Sequence, residues 1–114
     1  MTLLPIEPDL TFTSLIDFLK GFRWDKKFKR NNCHSCAYAQ FIKAQGCGRP
    51  YVHYCGIAYD GPHGRVKIEP LPEHVAAFIR RIQFDPDDSL PGTIEAHTLI
   101  DVARSLDIVF KLSY

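Results

Sequence analysis

Residues 33–59, CHSCAYAQFIKAQGCGRPYVHYCGIAY, hold all four cysteines of the chain and change hydrophobic period halfway along. Up to Gly46 the apolar residues Ala37, Phe41 and Ala44 recur at helical spacing and Gly46 is a stop signal, so a helix is expected from about Ser35 to Gln45. From Pro50 the pattern becomes an alternation, with Tyr51, His53, Cys55 and Ile57 on one side and Val52, Tyr54 and Ala58 on the other. Arg65 to Glu69 alternates again after the turn residues Asp60-Gly61-Pro62-His63-Gly64, and the two runs together predict a β-hairpin.

Upstream, Thr13 or Ser14 is placed to cap a first helix whose Leu15, Phe18, Leu19 and Phe22 fall at i, i+3, i+4 and i+7. Gly21 weakens or ends it, and residues 1–9, with Pro5 and Pro8, read as an extended arm. Downstream, Val75, Phe78, Ile79 and Ile82 form an apolar stripe past Pro70 and Pro72, with Arg80 and Arg81 facing away, and this helix ends before Asp85-Pro86. Thr93 is expected to cap a further helix carrying Ala96, Leu99, Ile100, Ala103 and Leu106. Ile108, Phe110, Leu112 and Tyr114 then alternate with Val109, Lys111 and Ser113, the pattern of a strand that joins the hairpin. The expected order is ααββααβ, a small single α+β domain over residues 1–114.

The chain has 114 residues, 46% of them hydrophobic, which suits one modest core. No apolar run approaches the roughly 20 residues that cross a bilayer, and MTLLPIEPDL has neither the basic nor the apolar part of a signal peptide. An intracellular, cytoplasmic protein with no membrane partner is expected. In that compartment, cysteines grouped this closely point to metal binding or chemistry rather than disulfides.

The spacing Cys33-x2-Cys36-x10-Cys47-x7-Cys55 offers four thiolates to one ion. Zinc takes four such ligands in a closed tetrahedron, and its binding energy adds to folding, so residues 33–55 are expected to form a structural Zn2+ site. His34 or His53 could replace one cysteine. An iron–sulfur cluster fits the ligand count but neither common ferredoxin spacing, and ordinary buried thiols are the plainest alternative.

The segment Asn32-Cys33-His34-Ser35-Cys36-Ala37-Tyr38-Ala39 also resembles the nucleophile segment of papain-like cysteine peptidases, in which a Cys-Gly-Ser-Cys step sets the second cysteine at a helix N-terminus. The resemblance implies Cys36 as nucleophile, with His97 and Asp101 available one helical turn apart. It covers about eight residues, His34 stands where that family has glycine, and no family-like histidine segment follows. The closing stretch Thr98 to Phe110 is similar to the end of some helix-turn-helix regulators, over about 13 residues of generic patterning, and no recognition residues carry over.

Net charge is only +1, yet it is lopsided. Between residues 20 and 49, Lys20, Arg23, Lys26, Lys27, Lys29, Arg30, Lys43 and Arg49 face the single acid Asp25, whereas from Asp60 onward acids outnumber bases. Within Phe22 to Asn32, cations interleave with Phe22, Trp24 and Phe28, and Asn31 and Asn32 follow. Cations neutralise phosphates and rings stack on unpaired bases, so Arg23, Trp24, Lys26, Lys27, Lys29 and Arg30 are the expected nucleic-acid contacts. A protein partner, met through the acidic half with Asp85, Asp87 and Asp88, is the alternative; a Cys36 hydrolase is the second. The Asp85-Pro86-Asp87-Asp88 run lacks the glycine and distal glutamate of an EF-hand loop. His97, Asp101 and Arg104 read as the polar face of their helix. The expected protein is therefore a small, non-catalytic, zinc-binding accessory domain that engages nucleic acid or a nucleoprotein complex.

Overall fold

Thr11 opens the first helix: its side chain accepts the Ser14 N–H at 3.3 Å, so α1 (Phe12–Lys20) begins ahead of the expected cap. Asp9 holds the same turn by accepting the Thr11 N–H at 2.9 Å and the Ser14 hydroxyl at 2.5 Å. The computed structural model describes residues 8–30, 34–53, 55–83 and 92–112. Along them run α1, β1 (Lys27–Lys29), α2 (Ala37–Ala44), β2 (Gly48–His53), β3 (Gly56–Gly61), β4 (Gly64–Ile68), α3 (Glu73–Gln83), β5 (Thr93–Glu95) and α4 (Ala96–Leu112). The α+β class holds, with helices and two antiparallel sheets.

Packing follows from the stripes. α1 buries Phe12, Leu15 and Leu19, and α3 buries Val75, Phe78, Ile79 and Ile82. Both pack on α4, while α2 lies against β2. β2, β3 and β4 form a meander in which Val52 sits opposite Ile57, Ile57 opposite Ile68 and Tyr59 opposite Val66, giving the sheet its inner face. Each large apolar side chain buried in full contributes about 1.5–3 kcal/mol, against at most about 1 kcal/mol for an exposed ion pair. The core therefore holds the fold, and the charged outer face of the meander is available for other work. None of the described helices is long and apolar enough to cross a membrane.

Three expectations need correction. Residues 50–59 are not one strand, because the chain reverses between His53 and Gly56, which stand opposite each other. That tight turn shifts the alternation by one, so Tyr51 and His53 face outward while Ile57 and Tyr59 face the core. Thr93 does not cap a helix; it lies in β5, which pairs with β1 so that Lys27 faces Glu95 and Phe28 faces Ile94. Among the described residues the closing strand is not formed either, because residues 108–112 belong to α4. Ala96, Leu99, Ala103, Leu106 and Phe110 continue one helical stripe to the end of α4, and this stripe outweighs the β-branched run Ile108-Val109, left 59% and 55% exposed.

Candidate functional site

The outer face of the meander gathers the residues of greatest chemical interest. In β2 the pairing jumps from Gly48 opposite Asp60 to Tyr51 opposite Ala58, a bulge that places Arg49 and Pro50 against one residue of β3. Arg49 sits there at φ +42°, in the left-handed region that a residue with a Cβ rarely enters. Bulges re-aim side chains, and this one turns the Arg49 guanidinium onto the Asp60 carboxylate, which it grips through both Nε and Nη2. Arg65, directly across from Asp60 on β4, donates from Nη1 to Asp60 Oδ1 at 3.0 Å and to the Arg49 carbonyl at 2.7 Å. Hydrogen bonds from Arg49 first and Arg65 second hold the Asp60 carboxyl down at about 2.

Beside this fork opens a cleft of about 700 Å³ lined by His34, Lys43, Arg49, Pro50 and Arg65. Three permanent cations meet there against the one carboxylate that two of them share, so the cleft stays positive. Lys43 comes from the last turn of α2, and His34 Nδ1 lies 3.3 Å from the Pro50 carbonyl.

Aromatic rings continue from the cleft along β2. His34 meets Tyr51 edge-on at 5.2 Å, and Tyr51 runs nearly parallel to His53, with a 15° interplanar angle and centroids 6.4 Å apart. Tyr51, 38% exposed, thus joins the basic cleft to a second hollow of about 240 Å³, whose lining includes Tyr51, His53, Ala58, Lys67 and Glu69. Across the strands the row reads Tyr51, Ala58, Lys67, so the small Ala58 leaves a low floor between a ring and a cation. Gly56 is needed beside it: a Cβ there would come within 2.5 Å of Glu69 Cγ. The alternation Arg49-x-Tyr51-x-His53 and Arg65-x-Lys67 was the available sequence signal for this surface. The unbroken 50–59 strand concealed it.

The expected nucleic-acid contacts are scattered by comparison. Arg23 pairs with Asp25 at 3.2 Å, and Lys26 Nζ lies over the Phe28 ring at 5.9 Å. Phe28 is buried, Phe22 packs on it at 5.2 Å, and Trp24, 67% exposed, sits 5.5 Å from His97. Lys27 and Lys29 point outward from β1. Arg30 does not: it is 8% exposed, and its Nε donates to the Ile82 carbonyl at 2.7 Å. A hollow of about 310 Å³ lies near this end, its described wall formed by Lys27, Arg30, Arg81, Thr93, Ile94, Glu95 and Thr98.

The cysteines also part company. Cys36 caps α2, its Sγ accepting the Ala39 N–H at 3.4 Å, and Cys36 and Cys47 are each 1% exposed within the core. Burial pushes the Cys47 thiol above its ordinary value. Cys55 is exposed in the β2–β3 turn, its N–H donating to His53 Nδ1 at 3.3 Å. Cys33 lies outside the described residues, as do Asn31, Asn32, the first seven residues of the arm, and the acidic Asp85, Asp87 and Asp88. Among the described residues, no three His, Cys, Asp or Glu side chains group to hold a metal ion. An attacking thiolate needs access, which Cys36 lacks, and His97 Nε2 is turned to Glu95 at 3.4 Å. Compared with family models, curated proteins and solved structures, the chain matches none, so its own chemistry must carry the functional reading.

Proposed function

We propose that this protein is a non-catalytic nucleic-acid-binding domain, and that the outer face of the β2–β3–β4 sheet is its principal contact surface. The observation that carries the reading is the meeting of the positive cleft of His34, Lys43, Arg49 and Arg65 with the exposed ring of Tyr51 and the half-buried ring of His53. Phosphates supply the charge that such a cleft attracts, and bases supply the planar faces that such rings accept. The strained backbone at Arg49 supports the reading too, since a non-glycine residue held at positive φ concentrates at sites where a side chain is aimed for use. Lys27 and Lys29 on the ribbon add to the field and act as secondary contacts.

The test is fluorescence anisotropy of a labelled oligonucleotide across a salt series. Affinity should fall steeply with salt, and replacing Lys43, Arg49 or Arg65 by alanine should each flatten the logarithmic slope by about 0.7. If the slope responds only to Lys26, Lys27 and Lys29, the contact is the basic segment instead. Salt-insensitive capture of a protein partner would overturn the reading.

The described residues do not fit a zinc site, so no part of the proposal runs through a metal. A thiol-directed reagent should label Cys55 at once in the folded protein and reach Cys36 and Cys47 only on unfolding. Stoichiometric zinc in the purified protein, with Cys55 protected until it is chelated, would reinstate the four-cysteine site.

A further inference from the structure

The two hollows on the meander are joined by Tyr51, and their chemistry differs. The larger is ringed by cations, while the smaller is walled by flat rings with Ala58 as its floor. From this pairing we infer that the surface takes a single strand rather than a duplex, with a phosphate in the basic cleft and the neighbouring base laid on Tyr51 above Ala58. The inference rests on the nucleic-acid reading and sharpens it.

The argument turns on what each form of nucleic acid can offer. In a duplex the base faces are occupied by their neighbours and only the edges reach the grooves, so an exposed tyrosine beside a cation cluster gains phosphate contacts and nothing more. In an unpaired strand the bases splay out, and each offers a face to a ring. The near-parallel Tyr51 and His53 rings lie on alternate residues of β2, about 7 Å apart along the strand. Lys67, two strands across from Tyr51, closes the far side of the smaller hollow and is placed to meet the next phosphate. Glu69 forms another wall of this hollow.

The experiment compares a fluorescein-labelled 15-nucleotide single strand with the duplex of the same sequence, in the same buffer at about 100 mM salt. Expected is at least roughly tenfold tighter binding of the single strand, and a loss of roughly tenfold to a hundredfold in single-strand affinity on Tyr51→Ala, with little change for the duplex. Tyr51→Phe keeps the ring and should recover most of that loss. Arg104→Ala, an equal removal of exposed charge from α4, is the control for unspecific electrostatics, and a melting curve on each variant checks the fold. Equal affinity for both forms, or single-strand binding indifferent to Tyr51→Ala while Arg49→Ala and Arg65→Ala still weaken it, overturns the single-strand inference and leaves the broader reading standing. Binding to neither form overturns both.

Discussion

The β1–β5 ribbon and the β2–β4 meander both carry clustered positive charge, but they hold it in different ways. Around the ribbon several cations are engaged locally: Arg23 with Asp25, Lys26 over Phe28, and Arg30 drawn inward to the Ile82 carbonyl. On the meander, Arg49 and Arg65 come from strands far apart in sequence and share one carboxylate, while Lys43 joins them from α2. Cations adjacent along a chain are dispersed by the alternation of a strand and by the needs of the core. Cations brought together by a sheet stay together. The difference teaches that charge density read along the sequence overstates the ribbon and misses the meander.

The sharpest way to break that comparison is Arg30→Met. If Arg30 is a core residue, its replacement takes a charged donor away from the Ile82 carbonyl, and urea denaturation should show a loss of about 2–4 kcal/mol. Lys29→Met, one residue earlier and exposed, should change stability by no more than about 0.5 kcal/mol. Equal effects for both would mean that the ribbon presents its cations uniformly after all. The comparison would then fail.

Next in size is the bulge. Arg49→Gly relieves the positive φ that Arg49→Ala retains, so the glycine variant should be the more stable by about 1–2 kcal/mol in the same assay. Both variants remove the guanidinium from the cleft and should weaken oligonucleotide binding alike. Stability and binding would thereby separate at one position, as expected where backbone strain serves a side chain's aim. If alanine and glycine fold equally well, the strain argument for the meander falls away.

How far the sequence foretold this picture varies from element to element. α1, α2 and α3 were legible because their stripes recur at a single period between clear stop signals; the α3 stripe is buried throughout, whereas Phe18 and Phe22 of the first stripe are only partly buried, and α2 buries Tyr38, Ala39 and Ile42 beside Ala37 and Phe41 and leaves Ala44 exposed. The C-terminal half of α4 was misread because Ile108-Val109-Phe110 satisfies both periods, and only the continuation from Ala96 through Ala103 to Phe110 decides between them. β1 and β5 are three residues each, too short to show any period, and their pairing is long-range. The site was partly legible. Basic and aromatic residues were read from residues 22–32, whereas the proposed surface depends on the chain reversal between His53 and Gly56, which lies inside an apparently continuous alternation and so gave no signal. The cysteine spacing pointed to a shared ion; of the four, Cys36 and Cys47 lie in the core, Cys55 is exposed in a turn and Cys33 lies outside the described residues.

The smallest expected effect probes the fork itself. Asp60 has an ordinary value of 3.8 and is held at about 2 by Arg49 and Arg65. A carboxyl whose value is depressed on folding stabilises the fold above its unfolded value, and that contribution fades as pH falls through the folded one. The fork should therefore be intact at every pH above about 4 and come apart only as pH drops from about 4 towards 2. Because the group is exposed, little of this will register in melting temperature, and the direct measurement is the Asp60 carboxyl signal in an NMR titration. Its midpoint should lie near 2 in the wild-type protein. Arg49→Ala should raise it more than Arg65→Ala, in the order of the two hydrogen bonds that depress it. Removing the stabilised carboxylate by Asp60→Asn should leave the core intact and release both guanidinium groups from the ion pair, with Arg65 still donating to the Arg49 carbonyl. If an added oligonucleotide shifts the Asp60 midpoint upward, phosphate is competing for the same two arginines, as the meander reading requires; an unmoved midpoint on a bound complex would return the contact to the ribbon.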